Sequence, residues 1–441
     1  MNKFFFRNYS KKDYLILFFT TVFLTIGFIT FFINDKSNLI SLIGLLITSF
    51  FVIKFFRSIP LFIMFLFFIL YNVDSVKFFY TNIDLTLWPD FQQKDIINKV
   101  LLCNSLFIFC LGNYIPSSIN NNHISIIKYS INNRFFFFLN LLICILIILF
   151  SISGESIING GVYGEAQKSP LNEYFILFYL FLFLTKPKVF FYKNIILFVG
   201  FIYCFQNLIY GGRIEILQLC LLTFYTLYVF EKKINYSFFY LFILFAFYFN
   251  MLIDAIRSNP IDFISGYYLQ YLDPRNLFFS DNNLTYLASN QGDVIQSSGR
   301  ILGLIQNDIL SFSDRLLSFF SYILSPIIPS KLLPDYSNLA SYKQDLYRSG
   351  GGGLIGVYFY TWLGFLGPVV SGIFIGYYIN FFYFKNSIYY KLYGLCLMIS
   401  FPRWYAYSPI FLIKFCLYSV ILFFIISIFS KHFSNDTCSS S

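Results

Sequence analysis

The residues best suited to holding an anion stand in a short run between two apolar stretches. Gly211 and Gly212 allow close backbone approach, and Arg213 and Glu215 follow at the start of the next apolar run. The free amide groups and the dipole at a helix start favour a negative charge, and Arg213 adds a donor fork suited to phosphate. Glu215 and Gln218 share one helix face. The alternative is an Arg–Glu ion pair that caps the helix.

Two other arginines stand near the predicted ends of apolar runs. Asp254 and Arg257 lie three positions apart where an apolar run gives way to a long polar segment, and an ordinary salt bridge at a helix end explains them equally well. Arg403 lies between Pro402 and Trp404, a pattern that predicts a tight turn presenting one cation among aromatic side chains. The alternative for this turn is an aromatic anchor at the membrane interface.

The end of the polar segment and the last apolar run supply further candidates. Asp345 and Arg348 precede the four glycines Gly350 to Gly353. Four glycines are a poor helix start, so they predict a hinge or close approach to a ligand. Lys414 lies within the last apolar run, where a charge must be paired or line a cavity.

The chain around these residues has the composition of a membrane protein. Of its 441 residues, 58% are hydrophobic and only 12% are charged. A soluble domain carries about 25% charged residues. Apolar runs such as 14–33 have the length of about 20 residues that crosses a bilayer core, and in lipid such runs must be helices.

We therefore predict an all-α polytopic membrane protein with about twelve transmembrane helices, in a range of eleven to thirteen. The range reflects three short runs and one long run that contains Gly364, Gly367 and Pro368 and is expected to bend. The predicted spans are 14–33, 39–55, 59–73, 99–115, 135–152, 172–185, 189–210, 214–230, 237–254, 354–384, 388–401 and 407–429.

The distribution of basic residues predicts the orientation of these spans. With the N-terminus inside, the short inner loops hold more than twice as many Lys and Arg as the short outer loops. Both termini are then cytoplasmic, and the chain divides into helices one to nine (1–254), one large extracytoplasmic loop (255–353), and helices ten to twelve with a short tail (354–441). We expect short helices in the loop. The apolar patch from Leu316 to Ile328 is predicted to lie on the membrane surface.

The sequence lacks the motifs that mark nucleotide-driven transport, cofactor binding and metal binding. The sequence contains no P-loop, no dinucleotide-binding fingerprint and no metal-ligand spacing, so we predict no cofactor and no metal. The net charge of +10 is spread between apolar runs rather than gathered in a patch, which argues against nucleic acid as a partner.

Two stretches and the topology resemble the Wzy-type polymerases of O-antigen and capsular repeat units. Gly211-Gly212-Arg213 is similar to the small-residue-plus-Arg motif common in that family. The returning segment is similar to the family's "E-x-Y-x-x-x-G-x-x-G" signature, with Tyr360, Gly364 and Gly367 as matches. Tyr358 stands where the acidic residue is usual, so an acidic role at that position is not carried over.

The resemblance implies a GT-C-like membrane glycosyltransferase of the bacterial inner membrane that needs no metal. It would transfer a growing glycan from undecaprenyl diphosphate to a sugar hydroxyl of the next lipid-linked unit, with a Wzz-type chain-length regulator as a possible partner. On this hypothesis, the proton of the attacking hydroxyl goes to Glu215 or Asp254. The residues expected to bind the diphosphate or glycan are Arg213, Arg257, Arg348, Arg403, Tyr360, Gly211 and Gly212.

The alternatives that stay open are an O-antigen ligase, another lipid-linked glycan transferase, a transporter, and a structural or regulatory membrane protein. An O-antigen ligase shares this topology, but it depends on a His in the large outer loop, and the only histidines here are His123 and His432. A lipid-linked oligosaccharide flippase or other transporter usually has short loops throughout. A structural membrane protein without chemistry would not need Lys414 or the repeated outer arginines.

Overall fold

A computed structural model of the chain is almost entirely helical. It describes residues 10–33, 37–80, 94–119, 134–153, 167–184, 190–210, 212–229, 290–329, 332–347, 352–385 and 387–436. Within these ranges, six helices are long and apolar enough to cross a membrane: those that contain the stretches Lys11–Phe32, Ile59–Val76, Asp95–Tyr114, Tyr192–Ile209, Leu366–Phe384 and Phe411–Phe429. The prediction of an all-α membrane protein is confirmed at this coarser level. The predicted span 237–254 lies outside the described residues.

The helices up to the long loop follow the predicted apolar runs. They are α1 (Lys11–Ile33), α2 (Ser37–Lys54), α3 (Ile59–Tyr80), α4 (Lys94–Tyr114), α5 (Arg134–Phe150), α6 (Leu171–Leu184), α7 (Phe190–Ile209) and α8 (Arg213–Phe224), the last continued by a π-helical turn (Tyr225–Val229). One small feature was not predicted. Strands β1 (Ile152–Ser153) and β2 (Gln167–Lys168) pair antiparallel between α5 and α6, with Ile152 opposite Lys168.

Six of the eight later helices in the described residues have 17 residues or fewer. The later elements are α9 (Asn290–Gln306), α10 (Phe312–Leu324), a 3-10 turn (Asp335–Ser337), α11 (Leu339–Tyr347), α12 (Ile355–Leu363), α13 (Leu366–Phe384), α14 (Ile388–Ile399), α15 (Phe401–Ala406), a π-helical turn (Phe411–Phe415) and α16 (Cys416–Asp436). The predicted run 354–384 is therefore two helices. Gly364 separates them with a φ of 64° and a ψ of −150°, a conformation that is essentially restricted to glycine.

The chain divides into two compact units, 1–124 with 283–418 and 125–282 with 419–441. In the first unit, α4 packs against α2, α12 and α13, and α9 packs against α3, α4 and α12. Glycines allow this close packing, because a Cβ on Gly356 would lie 2.7 Å from the Cys103 carbonyl oxygen and one on Gly372 would lie 2.9 Å from the Phe107 carbonyl oxygen. The described part of the predicted loop 255–353 thus belongs to the same compact unit as α1 to α4.

A buried ion pair joins three parts of the first unit. Lys54 Nζ, at the end of α2, lies 3.2 Å from Asp13 Oδ1 in the first turn of α1. Lys54 Nζ also donates to the Gly112 carbonyl 2.9 Å away, and the Ser117 amide donates to Asp13 over the same distance. Removing one partner from a buried pair of this kind costs about 3–5 kcal/mol.

The second unit has its own buried polar network. Asn172 Nδ2 in α6 donates to Asn207 Oδ1 in α7 over 3.0 Å, and Tyr203 donates its hydroxyl proton to the Asn172 carbonyl. The Phe175 and Tyr203 rings stack with centroids 3.8 Å apart. These bonds fix the end of α7 that leads into α8 and Arg213.

Candidate functional site

Tyr360 and Leu363 are the two partly exposed residues of a helix whose other side chains are buried. This helix, α12, begins at Ile355 against the middle of α4 and ends at Leu363. Gly367, the first glycine inside the next helix, packs directly on the carbonyl of Phe359, where a side chain would overlap the backbone. The two glycines of the predicted signature therefore fold the chain back beside Tyr360 and leave its ring accessible.

Two basic side chains flank Tyr360. Lys99 Nζ, from the early part of α4, lies 5.9 Å from the centre of the Tyr360 ring. Arg315, from the first turn of α10, donates from Nε to the Thr361 carbonyl over 2.5 Å and is close enough to act electrostatically on Tyr360. A helix from the first part of the chain and a helix from the long loop thus bring their cations to the same tyrosine.

This basic pair, Lys99 and Arg315, has no acidic partner among the described residues. No described carboxylate oxygen lies within 4.0 Å of either cation. Arg315 uses Nε for the bond to Thr361, which fixes the guanidinium, and its other nitrogens are the fork that binds phosphate and carboxylate oxygens. Lys99 supplies a compact charge 5.9 Å from the centre of the Tyr360 ring. The arrangement can hold an anion and present a phenol to it.

The glycines before α12 approach the protein's own backbone. A Cβ on Gly352 would overlap Tyr407, and the Gly353 amide donates to the Tyr407 carbonyl over 3.2 Å. Tyr358 is fully buried and donates its hydroxyl proton to the same carbonyl over 2.8 Å. At Gly352 and Gly353, the sequence predicted a hinge or close approach to a ligand, but these glycines pack against the protein's own backbone at Tyr407. Tyr358, at the position where the Wzy-type signature has an acidic residue, makes a structural hydrogen bond instead.

Arg403 lies on a short helix, α15, rather than on the tight turn that the sequence predicted. Trp404 and Tyr405 are fully buried: the Trp404 indole donates to the Leu397 carbonyl, and the Tyr405 hydroxyl donates to Asn104 Oδ1 over 3.0 Å. These two aromatics therefore pack inside the protein and do not form a surface anchor. The Arg403 guanidinium stacks over the Phe411 ring at 5.2 Å and stays partly exposed.

A buried lysine, Lys343, lies on α11 in the predicted loop 255–353. Lys343 in α11 is completely buried and donates from Nζ to Ser297 Oγ in α9. Burial, together with the nearby positive charge of Arg300, lowers the pKa of Lys343 to about 8. Sequence reasoning did not single out Lys343, because its position in a polar segment gave no sign of burial.

In the second unit, the predicted cluster at the start of α8 is confirmed as a helix start. Gly212 occupies the N-cap position, and its amide donates to the Asn207 carbonyl over 2.6 Å. Arg213 is partly exposed, whereas Glu215 is 7% exposed and Gln218 is 2% exposed. The expected shared face of Glu215 and Gln218 is thus turned into the protein.

Lys414 lies closer to a span end than the sequence suggested. It belongs to the π-helical turn Phe411–Phe415, at the beginning of the apolar stretch Phe411–Phe429, and is partly exposed. No described carboxylate lies within 4.0 Å of it. A long lysine near the end of a span can extend its charge toward the interface, which lowers the cost of its charge in the bilayer.

Four predicted site residues lie outside the described residues: Gly211, Asp254, Arg257 and Arg348. Within the described ranges, no group of three or more His, Cys, Asp or Glu side chains is placed to hold a metal ion.

Of the basic residues beside Tyr360, neither was a sequence candidate. The sequence marks Lys99 only as a charge that sets topology, and Arg315 stands just before the predicted membrane-surface patch from Leu316 to Ile328. The signal that could have found Arg315 is its place on an apolar helix next to Phe312, whose ring lies 5.9 Å from the guanidinium carbon. A cation at the edge of an apolar helix face is typical of phosphate contact at a membrane surface.

No protein-family model matches this chain, and neither a curated protein nor a solved structure matches it.

Proposed function

We propose that the protein is a polymerase of undecaprenyl-diphosphate-linked oligosaccharide repeat units, acting on the outer side of the bacterial inner membrane. The observation that carries the proposal is the basic pair, Lys99 and Arg315, which lie near Tyr360 and have no described acidic partner. The twelve spans, the GT-C-like architecture and the cytoplasmic termini are parts of the same proposal.

The predicted topology places both elements that carry the basic pair on the outer side of the membrane. If the N-terminus is cytoplasmic, α4 begins on the outer side, and the loop that contains α10 is also outside. Lys99 and Arg315 come from these two elements and meet at one tyrosine. Two segments that the charge pattern assigns to the same side therefore lie together, as the proposal requires.

The proposed reaction makes one glycosidic bond and breaks one bond to phosphate. A sugar hydroxyl of the incoming lipid-linked unit attacks the anomeric carbon of the growing glycan, and undecaprenyl diphosphate leaves with the bonding electrons. The leaving diphosphate gains negative charge, which fixed cations stabilise. Lys99 and Arg315 hold that charge, and Tyr360 donates its phenolic proton as a hydrogen bond to a phosphate oxygen.

The proton of the attacking hydroxyl needs a base. Glu215 and Asp254 remain the proposed candidates, with Arg213 beside Glu215 at the start of α8. Burial of Glu215 restricts water around it, which favours a role as proton acceptor over a role as a simple surface charge.

Arg257, Arg348 and Arg403 remain proposed contacts to diphosphate or glycan. A Wzz-type chain-length regulator remains the proposed protein partner.

The test is the size distribution of surface glycan in a deletion strain complemented with single variants. Lys99→Ala and Arg315→Ala should remove the polymer ladder on a carbohydrate gel and leave single repeat units, because the leaving diphosphate loses its counter-charges. Arg213→Ala is expected to do the same. The matched control is Arg57→Ala, which removes an exposed arginine at the far end of α2 and should leave the ladder unchanged.

The same gel separates the alternatives. A ligase defect would remove glycan from its acceptor altogether, and a flippase defect would leave no units on the outer surface. A normal ladder in Arg315→Ala and Lys99→Ala, with protein levels equal to the parent, would remove the basic pair from the mechanism.

A further inference from the structure

Helix α10 has its polar and apolar faces reversed relative to a helix of a water-soluble loop. Ser318 and Ser321 are buried, whereas Phe312 is 69% exposed and Phe320 is 57% exposed. The other large apolar side chains exposed on this helix and just after it are Leu317, Ile323, Leu324 and Ile327. An exposed apolar face of this kind marks contact with a membrane or with another protein.

The buried face of α10 is held firmly, so the exposed face is a fixed feature. Ser318 donates to the Tyr336 carbonyl over 2.8 Å and accepts a hydrogen bond from the Trp362 indole over 2.9 Å. Tyr322 stacks on Trp362 with ring centroids 4.7 Å apart and donates to the Pro409 carbonyl. Rotation of α10 to hide its apolar face would break all of these contacts.

The end of α10 lies beside a membrane span. The Tyr418 hydroxyl donates to the Pro326 carbonyl over 2.9 Å, and Tyr418 lies inside the apolar stretch Phe411–Phe429. The segment that follows α10 therefore contacts a stretch that is long and apolar enough to cross a membrane. This contact favours membrane lipid as the occupant of the exposed face.

We propose that the exposed face of α10 binds the hydrocarbon chain of a lipid whose phosphate is held by Lys99 and Arg315. Phe312 and Arg315 share the first turn of α10, so the apolar face begins where the cation is fixed. A lipid that lies along α10 thus brings its phosphate to Tyr360. This inference deepens the proposed function, on which it rests for the identity of the lipid as substrate, and it makes α10 the lateral entry surface.

Contact between α10 and lipid can be measured by quenching of tryptophan fluorescence. Phe320→Trp is placed in the full chain, which is purified and reconstituted into vesicles of phosphatidylcholine with brominated acyl chains. The emission of the parent protein, which has three tryptophans, is subtracted. The matched control is Gln344→Trp, at an exposed position on α11. We expect strong quenching for Phe320→Trp and little for Gln344→Trp. Equal quenching at the two positions would overturn the placement of α10 in lipid.

The source of the phosphate is tested separately with two soluble probes. Farnesyl diphosphate, which carries a hydrocarbon chain, should raise the thermal unfolding temperature of the detergent-solubilised protein. This rise should be smaller in Arg315→Ala and in Phe320→Asp. Inorganic diphosphate at the same concentration should have a much weaker effect. An equal effect of inorganic diphosphate, or an undiminished effect of farnesyl diphosphate in Phe320→Asp, would overturn the lipid site.

These outcomes are distinguishable from failure of the proposed function. Quenching of Phe320→Trp together with stabilisation by farnesyl diphosphate would support the lipid site even if Arg315→Ala kept a normal polymer ladder. In that case the proposed role of the basic pair in polymerisation would fail and the lipid site would stand.

Discussion

Lys343 is the residue whose ionisation should be most visible in the stability of the protein. Its folded pKa of about 8 lies below the ordinary lysine value of about 10.4, because the charge is buried and faces Arg300. Between these values, the unfolded chain binds more protons than the folded chain, so stability should rise with pH. Below pH 8 the cost of burying the charge is fully present.

We predict that Lys343→Met raises the thermal unfolding temperature at pH 7 and abolishes the rise between about pH 8 and 10. The size of the pKa shift corresponds to about 3 kcal/mol at most, less the hydrogen bond lost to Ser297. The measurement is thermal unfolding in detergent across this range. The matched control is Lys385→Met, an exposed lysine. An unchanged pH slope in Lys343→Met would show that this lysine does not carry the effect.

At the same scale, the site was only partly predictable. Tyr360 and Arg213 were found because sequence motifs mark them, and α8 does begin at Arg213. Lys99 and Arg315 are more than two hundred positions apart, and nothing in a single sequence pairs them. Their meeting depends on how α10 packs against α12, which long-range packing decides.

Among the elements, the hairpin of α12 and α13 depends most on one backbone conformation. A Cβ on Gly364 would meet nothing within 4 Å, so its cost comes from backbone strain alone. We predict that Gly364→Ala destabilises the protein by about 1–3 kcal/mol, measured as the change in thermal unfolding in detergent. The ladder should weaken as well, because Tyr360 lies on this hairpin.

The matched control for that prediction is Gly303→Ala. Gly303 lies inside α9, and a Cβ there would make ordinary contacts with the Tyr347 hydroxyl at 3.6 Å and with Asn307 Nδ2 at 4.0 Å. Alanine favours a helix over glycine by about 1 kcal/mol, so this variant should be neutral or stabilising. Equal losses in the two variants would contradict the strain argument for Gly364.

The long apolar helices were predictable, and the helices of the polar segment were less so. Apolar runs of membrane length must be helical in lipid, so each of α1 to α7 matches a predicted span. The bounds differ most at α3, which continues to Tyr80 instead of ending at 73, and at α4, which begins at Lys94 instead of 99.

In the polar segment, the apolar spacing of Ile301, Leu302, Leu304, Ile305 and Ile309 predicts a helix. The helix α9 contains the first four of them and ends at Gln306. Its burial against α3 and α4 was not predictable, because Gln296, Ser297 and Ser298 give α9 the composition of an exposed helix.

At the scale of the whole molecule, each compact unit contributes candidate residues. The first unit holds Tyr360 with its basic pair and Arg403, and the second holds Arg213 and Glu215. A glycan polymerase must bind two lipid-linked units, a donor and an acceptor, so two clusters of polar residues fit its chemistry. Single variants in each cluster, compared on one gel, rank the two contributions.

The most direct test of the central claim is the surface glycan of a strain in which the gene is deleted, resolved by size. The proposal predicts that the polymer ladder disappears while single repeat units remain on their acceptor, and that the intact gene restores the ladder. A full ladder in the deletion strain, or loss of every unit including the single ones, would contradict a polymerase.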